Sequence, residues 1–237
     1  MKAMILAAGR GERMRPLTDK CPKPLLCVAG IPLIEYHIKK LAKIGVSDIV
    51  INLAWLGERI VDYLQDGEKF GVNFQYSWEN DGALETAGGI IKALPKLVEG
   101  NEPFLVVNGD IYIDYDFSPL PHLTEKQQAH LWVVDNPPHN VSGDFYLNDG
   151  VLQSKQQAEW EGKTEIQKNC FTFSGIGLYR PSLFHAYLDH KVMPLAPILI
   201  SAMKQQQVSG EKLSGVWTDV GTPERLQQLN MKIQGMG

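Results

Sequence analysis

One stretch constrains the fold more than any other. An apolar run of strand length, Ala3-Met4-Ile5-Leu6, ends abruptly at a loop carrying Gly9 and Gly11. The next dozen residues then hold Arg10, Arg13, Arg15, Lys20 and Lys23 against only Glu12 and Asp19. Two glycines let a backbone turn tightly and bring its N–H groups close to an anion, while cationic side chains offset the charge that arrives. A solvated basic turn would also fit a bare Gly-x-Gly. The local excess of three positive charges, in a chain whose net charge is -4, favours an anionic ligand. Pro22 and Pro24 flank Lys23 and restrict the backbone on both sides, which fixes the direction of that lysine.

The order of the remaining signals predicts an α/β fold. Ile34, His37, Ile38 and Leu41 recur at helical spacing between Leu33 and Ile44, and Gly45 closes the helix. His37 lies beside that apolar stripe and is read as a structural histidine. Asp48 to Leu53 is a second buried strand, 56–64 a second helix, and 70–78 alternates as a third strand. Strand and helix in alternation imply parallel strands with right-handed crossovers. A polar loop from Glu79 then leads through Glu85, Gly88 and Gly89 into a helix expected at 90–97. Glycines at a helix start cost about 1 kcal/mol each against alanine, so they mark either close approach of a ligand or helix packing on the sheet.

Beyond Leu120 the strands are shorter: 129–134, 143–147, a hairpin turn at Asn148-Asp149-Gly150, and 170–179. Residues 154–169 are polar and carry no clear element. A helix at 195–205, strand signals at 215–217 and 218–222, and a helix opening at Pro223 complete the chain. The 237 residues suffice for one domain, with one half over about 1–120 and a second, of different texture, over about 121–237.

Composition removes several functions. No apolar stretch approaches the roughly 20 residues that span a bilayer, and the first residues lack the pattern of a secretory signal, so no membrane role is expected. Cys21, Cys27 and Cys170 form neither a disulfide framework nor a metal pair, which fits a reducing cytoplasm. A pI near 5.9 argues against nucleic acid as a partner. No protein partner is implied.

Phe104-Leu105-Val106-Val107 ends in Asn108-Gly109-Asp110, and in a parallel sheet ligands sit beyond the carboxyl ends of the strands. Asp110 is therefore a candidate metal ligand, with an Asx-type turn as the alternative. Asp219 also follows an apolar run beside a glycine. A hard cation such as Mg2+ is typically held by one or two carboxylates together with substrate phosphates. Beside the basic glycine loop, these aspartates suggest metal-assisted transfer at phosphorus. The chain lacks Gly-x-x-x-x-Gly-Lys-Ser/Thr, and no serine-histidine-acid or cysteine-histidine arrangement is legible.

Four blocks carry a resemblance. Residues Leu6 to Thr18 with Pro22-Lys23-Pro24, Leu84 to Gly89, Asn108-Gly109-Asp110, and Trp217 to Thr222 resemble, in order, the motifs of sugar-1-phosphate nucleotidylyltransferases. Within that family, residues 51–57, 114–117 and 134–137 most resemble the bacterial N-acetylmuramate 1-phosphate uridylyltransferases of cell-wall recycling. The resemblance implies a Rossmann-like, mixed, mostly parallel sheet flanked by helices. It also implies that a nucleoside triphosphate and a sugar 1-phosphate are the substrates. Ala8, Gly9, Gly11, Glu12 and Arg13 would embrace the nucleotide phosphates, and Arg15 and Lys23 would stabilise departing pyrophosphate. Glu85 to Gly89 would hold the base, and Asp110 and Asp219 would hold Mg2+. Asn108, Gly143, Asp144, Ser174 and Gly175 would face the sugar. One block common in relatives, Glu-Lys-Pro, is missing: Glu161-Gly162-Lys163 and Glu165 stand in a polar stretch without proline, which leaves the sugar-side lysine unassigned.

Overall fold

Buried strands come first because the chain's continuous apolar runs must be covered on both faces. The computed structural model describes residues 1–80, 82, 84–160 and 169–235, so the Glu161 to Glu165 stretch lies outside the described residues. In chain order the elements begin with β1 (Ala3–Leu6), β2 (Cys27–Val28), β3 (Ile31–Pro32), α1 (Leu33–Lys43), β4 (Asp48–Leu53), α2 (Gly57–Leu64) and β5 (Asn73–Trp78). They continue with α3 (Glu85–Leu97), β6 (Phe104–Asn108), β7 (Ile111–Asp114), β8 (Ala129–Val134), β9 (Phe145–Asn148) and β10 (Val151–Ser154). The remainder are α4 (Lys155–Trp160), β11 (Cys170–Tyr179), α5 (Leu195–Lys204), β12 (Val208–Lys212), β13 (Val216–Asp219) and α6 (Pro223–Gln234).

Nine strands form one sheet in the order β5-β4-β1-β6-β11-β8-β12-β10-β9. The first four are parallel, as the strand and helix alternation predicts. Only β11 and β10 run against the rest. Ala3, Ile5 and Ile51 face one apolar layer with Ile38 and Leu41 of α1 and Ile60 and Leu64 of α2. Met4, Val50 and Val106 face the other, built with Ile90 and Leu94 of α3 and Ile198 and Leu199 of α5. This is the period-two alternation of a sheet buried on both faces.

Several boundaries differ from the sequence expectations. The helix expected at 90–97 begins at Glu85, so Gly88 and Gly89 lie within its first two turns. Strand β7 pairs antiparallel with β13 in a separate ribbon, and β12 runs parallel to β8. Val208-Ser-Gly-Glu-Lys is too polar to announce itself as a strand, but its first three residues are buried by sheet pairing. The first residue of the polar stretch, Ser154, closes β10, and α4 follows from Lys155. A third, smaller core places Met14, Leu33, Tyr112, Val220 and Leu229 together, which seats α6 and the β7–β13 ribbon under the glycine loop.

Candidate active site

The glycine loop leaves β1 at Leu6, and Asn108-Gly109-Asp110 leaves its parallel neighbour β6 at the same edge. Because β1 pairs with β4 on one side and β6 on the other, this is the switch point of the parallel strands, where a crevice opens. Gly11 has a φ of +67°, and a Cβ there would meet the Thr18 methyl group at 3.0 Å. The hydroxyl of Thr18 donates to the Gly11 carbonyl at 2.8 Å and fixes the turn from within. Trp55 Nε1 donates to the Thr18 carbonyl at 3.0 Å, while the Arg10 guanidinium stacks 4.6 Å from the Trp55 ring centre. The loop is thus clamped by a side chain that follows β4.

Gly9, Gly11, Glu12, Arg13, Lys23 and Asp110 line one cavity of about 230 Å3, together with Gly221. Lys23 Nζ lies 2.7 Å from Asp110 Oδ2; the lysine side chain is only 9% exposed and the aspartate 42%, so the cation is a wall and the carboxylate faces the opening. Pro22 precedes a single 3-10 turn over Lys23–Leu25, closed by a 2.9 Å bond from Leu25 N–H to the Pro22 carbonyl. The expected rigid lysine therefore has a local cause. Gly109 N–H donates to the Leu6 carbonyl at 2.9 Å, and a Cβ on Gly109 would stand 2.6 Å from that same oxygen. Only glycine allows β6 to deliver Asp110 so close to the loop. Ala8 belongs to the same loop beside Gly9. Arg15 does not line the cavity: its Nε is bonded to Asp19 Oδ1 at 2.7 Å, and both side chains are exposed. Arg13 is the loop arginine that reaches the opening.

The ribbon brings the backbones of two aspartates 109 positions apart in sequence to adjoining positions, although Asp110 lines the smaller cavity and Asp219 a separate one with His139 and Arg225. Asp219 is in register with Ile111, and Val220 N–H donates to the Asp110 carbonyl at 2.8 Å. The Asp219 carboxylate is bonded to the Arg225 guanidinium and lies 3.1 Å from His139 Nε2. Among the described residues no group of three or more His, Cys, Asp or Glu gathers around either aspartate. By donor chemistry each carboxylate suits a hard cation such as Mg2+, which takes its other ligands from water and phosphate. Each carboxylate already has a cation of the protein beside it, Lys23 for Asp110 and Arg225 for Asp219.

His37 is fully buried, with Nε2 2.9 Å from the Ile111 carbonyl, and burial pushes its pKa down to about 4. It is a neutral, structural histidine, as its place on α1 suggests. Its bond nevertheless anchors the residue that follows Asp110.

A second cavity, of about 550 Å3, lies on the other side of the β6 terminus and is lined by Thr86, Asn108, Gly143, Asp144 and Lys155 against an apolar wall of Phe145, Phe173, Leu195 and Leu199. Asp144 accepts from Asn140 Nδ2 at 3.0 Å and from Phe173 N–H at 2.8 Å, so its orientation is set by the protein. Gly143 has a φ of +63°, and a Cβ there would stand 2.7 Å from Asn136 Oδ1. Gly175, at φ +84° in the bulge of β11, would place a Cβ 2.8 Å from Asn108 Nδ2. Asn108 and Gly175 are therefore brought together. Ser174 is fully buried and lines neither cavity; its carbonyl accepts from Trp217 Nε1 at 2.9 Å, which ties the ribbon to β11.

The loop expected to hold a base carries a network that sequence reasoning missed. Ala7 N–H donates to Asn52 Oδ1 at 2.8 Å, and Asn52 Nδ2 donates to Glu79 Oε1 at 2.7 Å. Glu79 Oε2 accepts from Leu84 N–H at 3.1 Å. A Cβ on Gly89 would fall 2.7 Å from Glu79 Oε1, and one on Gly88 2.5 Å from the Lys191 carbonyl. Close approach at both glycines is real, and protein groups make it. Glu85 opens α3 with a φ of +60°, and Thr86 beside it reaches the second cavity. The signal available in sequence was polar Asn52 inside an otherwise apolar strand.

A basic glycine loop, an aspartate held on a fixed lysine and a larger neighbouring cavity gather at the switch point of the sheet, and comparison with known proteins gives the family. The family model described as Nucleotidyl transferase matches residues 2–235, and the chain belongs to that family. It is 53% identical over 232 residues to the N-acetylmuramate alpha-1-phosphate uridylyltransferase of Neisseria meningitidis serogroup B, covering 96% of each chain. It is 30% identical to the mannose-1-phosphate guanyltransferase of Gibberella zeae, covering 94% of this chain and 62% of that one. The fold also matches a putative glucose-1-phosphate thymidylyltransferase from Bacillus anthracis, with a TM-score of 0.84, 24% identity, and coverage of 100% of this chain and 96% of that one. No helix among the described residues is long and apolar enough to cross a membrane.

Proposed function

We propose that this protein transfers a uridylyl group from UTP to N-acetylmuramate α-1-phosphate, giving UDP-N-acetylmuramate and pyrophosphate. The observation that carries the substrate choice is the 53% identity to the Neisseria uridylyltransferase across nearly the whole of both chains, against 30% for the guanyltransferase. A phosphate oxygen of the sugar 1-phosphate attacks the α-phosphorus of UTP in line. The bond from that phosphorus to the bridging oxygen breaks, and pyrophosphate leaves with the electron pair. The attacking oxygen is already ionised at neutral pH, so the protein must align and neutralise rather than remove a proton.

The loop from Gly9 to Arg13 holds the triphosphate through backbone N–H groups and Arg13, and Lys23 neutralises charge from a fixed position. Asp110 and Asp219 would hold Mg2+, which when bound offsets the negative charge of the two phosphates as they approach. Asn108 and Asp144 orient the sugar in the larger cavity. Because that cavity adjoins the smaller one at the end of β6, the sugar's anomeric phosphate is directed at the nucleotide. The test is pyrophosphate release across four nucleoside triphosphates and several sugar 1-phosphates. UTP with N-acetylmuramate 1-phosphate should turn over best; turnover confined to GTP with mannose 1-phosphate would overturn the assignment.

A further inference from the structure

Among the described residues Lys155 is the one cationic side chain on the wall of the 550 Å3 cavity. It opens α4 directly after β10, where Ser154 is buried in the sheet, so its backbone is anchored. Its ammonium reaches across to the Ser142 hydroxyl at 3.3 Å, and among the described residues it has no carboxylate partner. The other ionisable group of this wall, Asp144, has both oxygens engaged, by Asn140 and by the Phe173 N–H. The cationic groups that meet the phosphates are elsewhere, Lys23 and Arg13 on the smaller cavity. An unpaired ammonium beside an apolar wall, in the half of the site away from the phosphates, matches an anion that the sugar itself carries.

We propose that Lys155 binds the carboxylate of the lactyl ether on N-acetylmuramate and is the residue by which the protein distinguishes that sugar from N-acetylglucosamine. This rests on the substrate reading above. The two sugar 1-phosphates share the ring, the N-acetyl group and the phosphate, and differ by the lactyl group alone. Phe173, Leu195 and Leu199 face the same space and suit the methyl group of that ether. An ammonium–carboxylate bond there is charge-assisted, whereas the sugar without the lactyl group has no anion to offer Lys155 in exchange.

The experiment measures kcat/KM for N-acetylmuramate 1-phosphate and N-acetylglucosamine 1-phosphate, with UTP, in the wild-type protein and in Lys155→Met, Lys155→Arg and Lys155→Glu. In Lys155→Met the ratio of the two values should fall roughly 10- to 100-fold, chiefly through KM for the muramate, as expected for a lost charge-assisted hydrogen bond. Lys155→Arg should restore most of the ratio, and Lys155→Glu should depress it further. Equal losses on both substrates would show that Lys155 serves the shared phosphate or the local fold, and would overturn the proposal while leaving the substrate reading intact. A wild-type protein that does not prefer the muramate would overturn the substrate reading and this proposal with it.

Discussion

The network from Ala7 to Leu84 offers the sharpest test of how the site is held. Asn52 and Glu79 are each only 4% exposed, and their side chains join the start of the phosphate loop to the loop ahead of α3. Asn52→Leu keeps the volume close to that of asparagine but orphans the Ala7 N–H and Glu79 Oε1. Each buried group left unpaired costs about 1–3 kcal/mol, so the variant should lose about 3–4 kcal/mol. Glu79→Met orphans the other two members, Asn52 Nδ2 and the Leu84 N–H. The double variant orphans only the two backbone N–H groups, two fewer than the single variants do together. Its loss should therefore be smaller than the sum by about 3–4 kcal/mol, the cost of the two groups no longer orphaned. Urea unfolding of the four proteins at constant slope measures this coupling, and KM for UTP should rise in both single variants as the two loops come apart. Additivity within about 0.5 kcal/mol would refute the network, since separate contacts add within that margin.

Lys23→Met should lower kcat/KM at least about 100-fold, the scale of one preorganised electrostatic group, while thermal melting shows a folded protein; a loss under 10-fold would remove Lys23 from charge stabilisation. Gly109→Ala puts a methyl group 2.6 Å from the Leu6 carbonyl and should cost about 1–3 kcal/mol in urea unfolding, with a fall in turnover as Asp110 is displaced. Asp110→Asn and Asp219→Asn should each abolish Mg2+-dependent pyrophosphate release and weaken Mg2+ binding in the presence of UTP by calorimetry; unchanged binding would refute the pair as ligands. His37 has its pKa pushed down to about 4 by burial. The unfolded chain takes up that proton first, so stability should fall as pH drops from about 6.5 to 4, by at most about 3 kcal/mol from this group, and His37→Leu should flatten that part of the curve.

How much of this was legible in the chain follows from which signals are local. Strands β1, β4 and β6 were readable because a strand buried on both faces is a continuous apolar run, and α1 because Ile34, Ile38 and Leu41 repeat at helical spacing. Lys23 was readable as rigid because both its neighbours are proline. Pairing was less visible. The sequence assigned no element to 111–114, and only the register of β7 with β13 sets Asp219 opposite Ile111, the residue after Asp110. Arg15 and Arg13 are equivalent in composition, and the 3-10 turn between them sends one to the cavity and the other to Asp19. Lys155 stood in a stretch without periodicity, and its value comes from where β9 and β10 deliver it. Gly88 was legible as a close approach, but the Lys191 carbonyl that makes it is about a hundred residues away in sequence.

The pairing of site carboxylates with protein cations has a consequence for how the site operates. The Asp110 and Asp219 side chains are 42% and 25% exposed, so water screens each only in part and a neighbouring cation offsets the rest of its charge. Lys23 and Arg225 do this, but they are not equivalent. Lys23 is buried and bounded by two prolines, so it remains where it is while Asp110, far more exposed, is free to turn toward an arriving group. Arg225 stands in the first turn of α6, whose N-terminus is capped by the Thr222 side chain accepting from the Arg225 N–H at 3.3 Å. The same turn that ends the ribbon thus orients the guanidinium on Asp219. Under the proposed function, substrate binding would exchange one set of partners for another instead of exposing bare charge, the phosphates taking over the cations as the carboxylates are released.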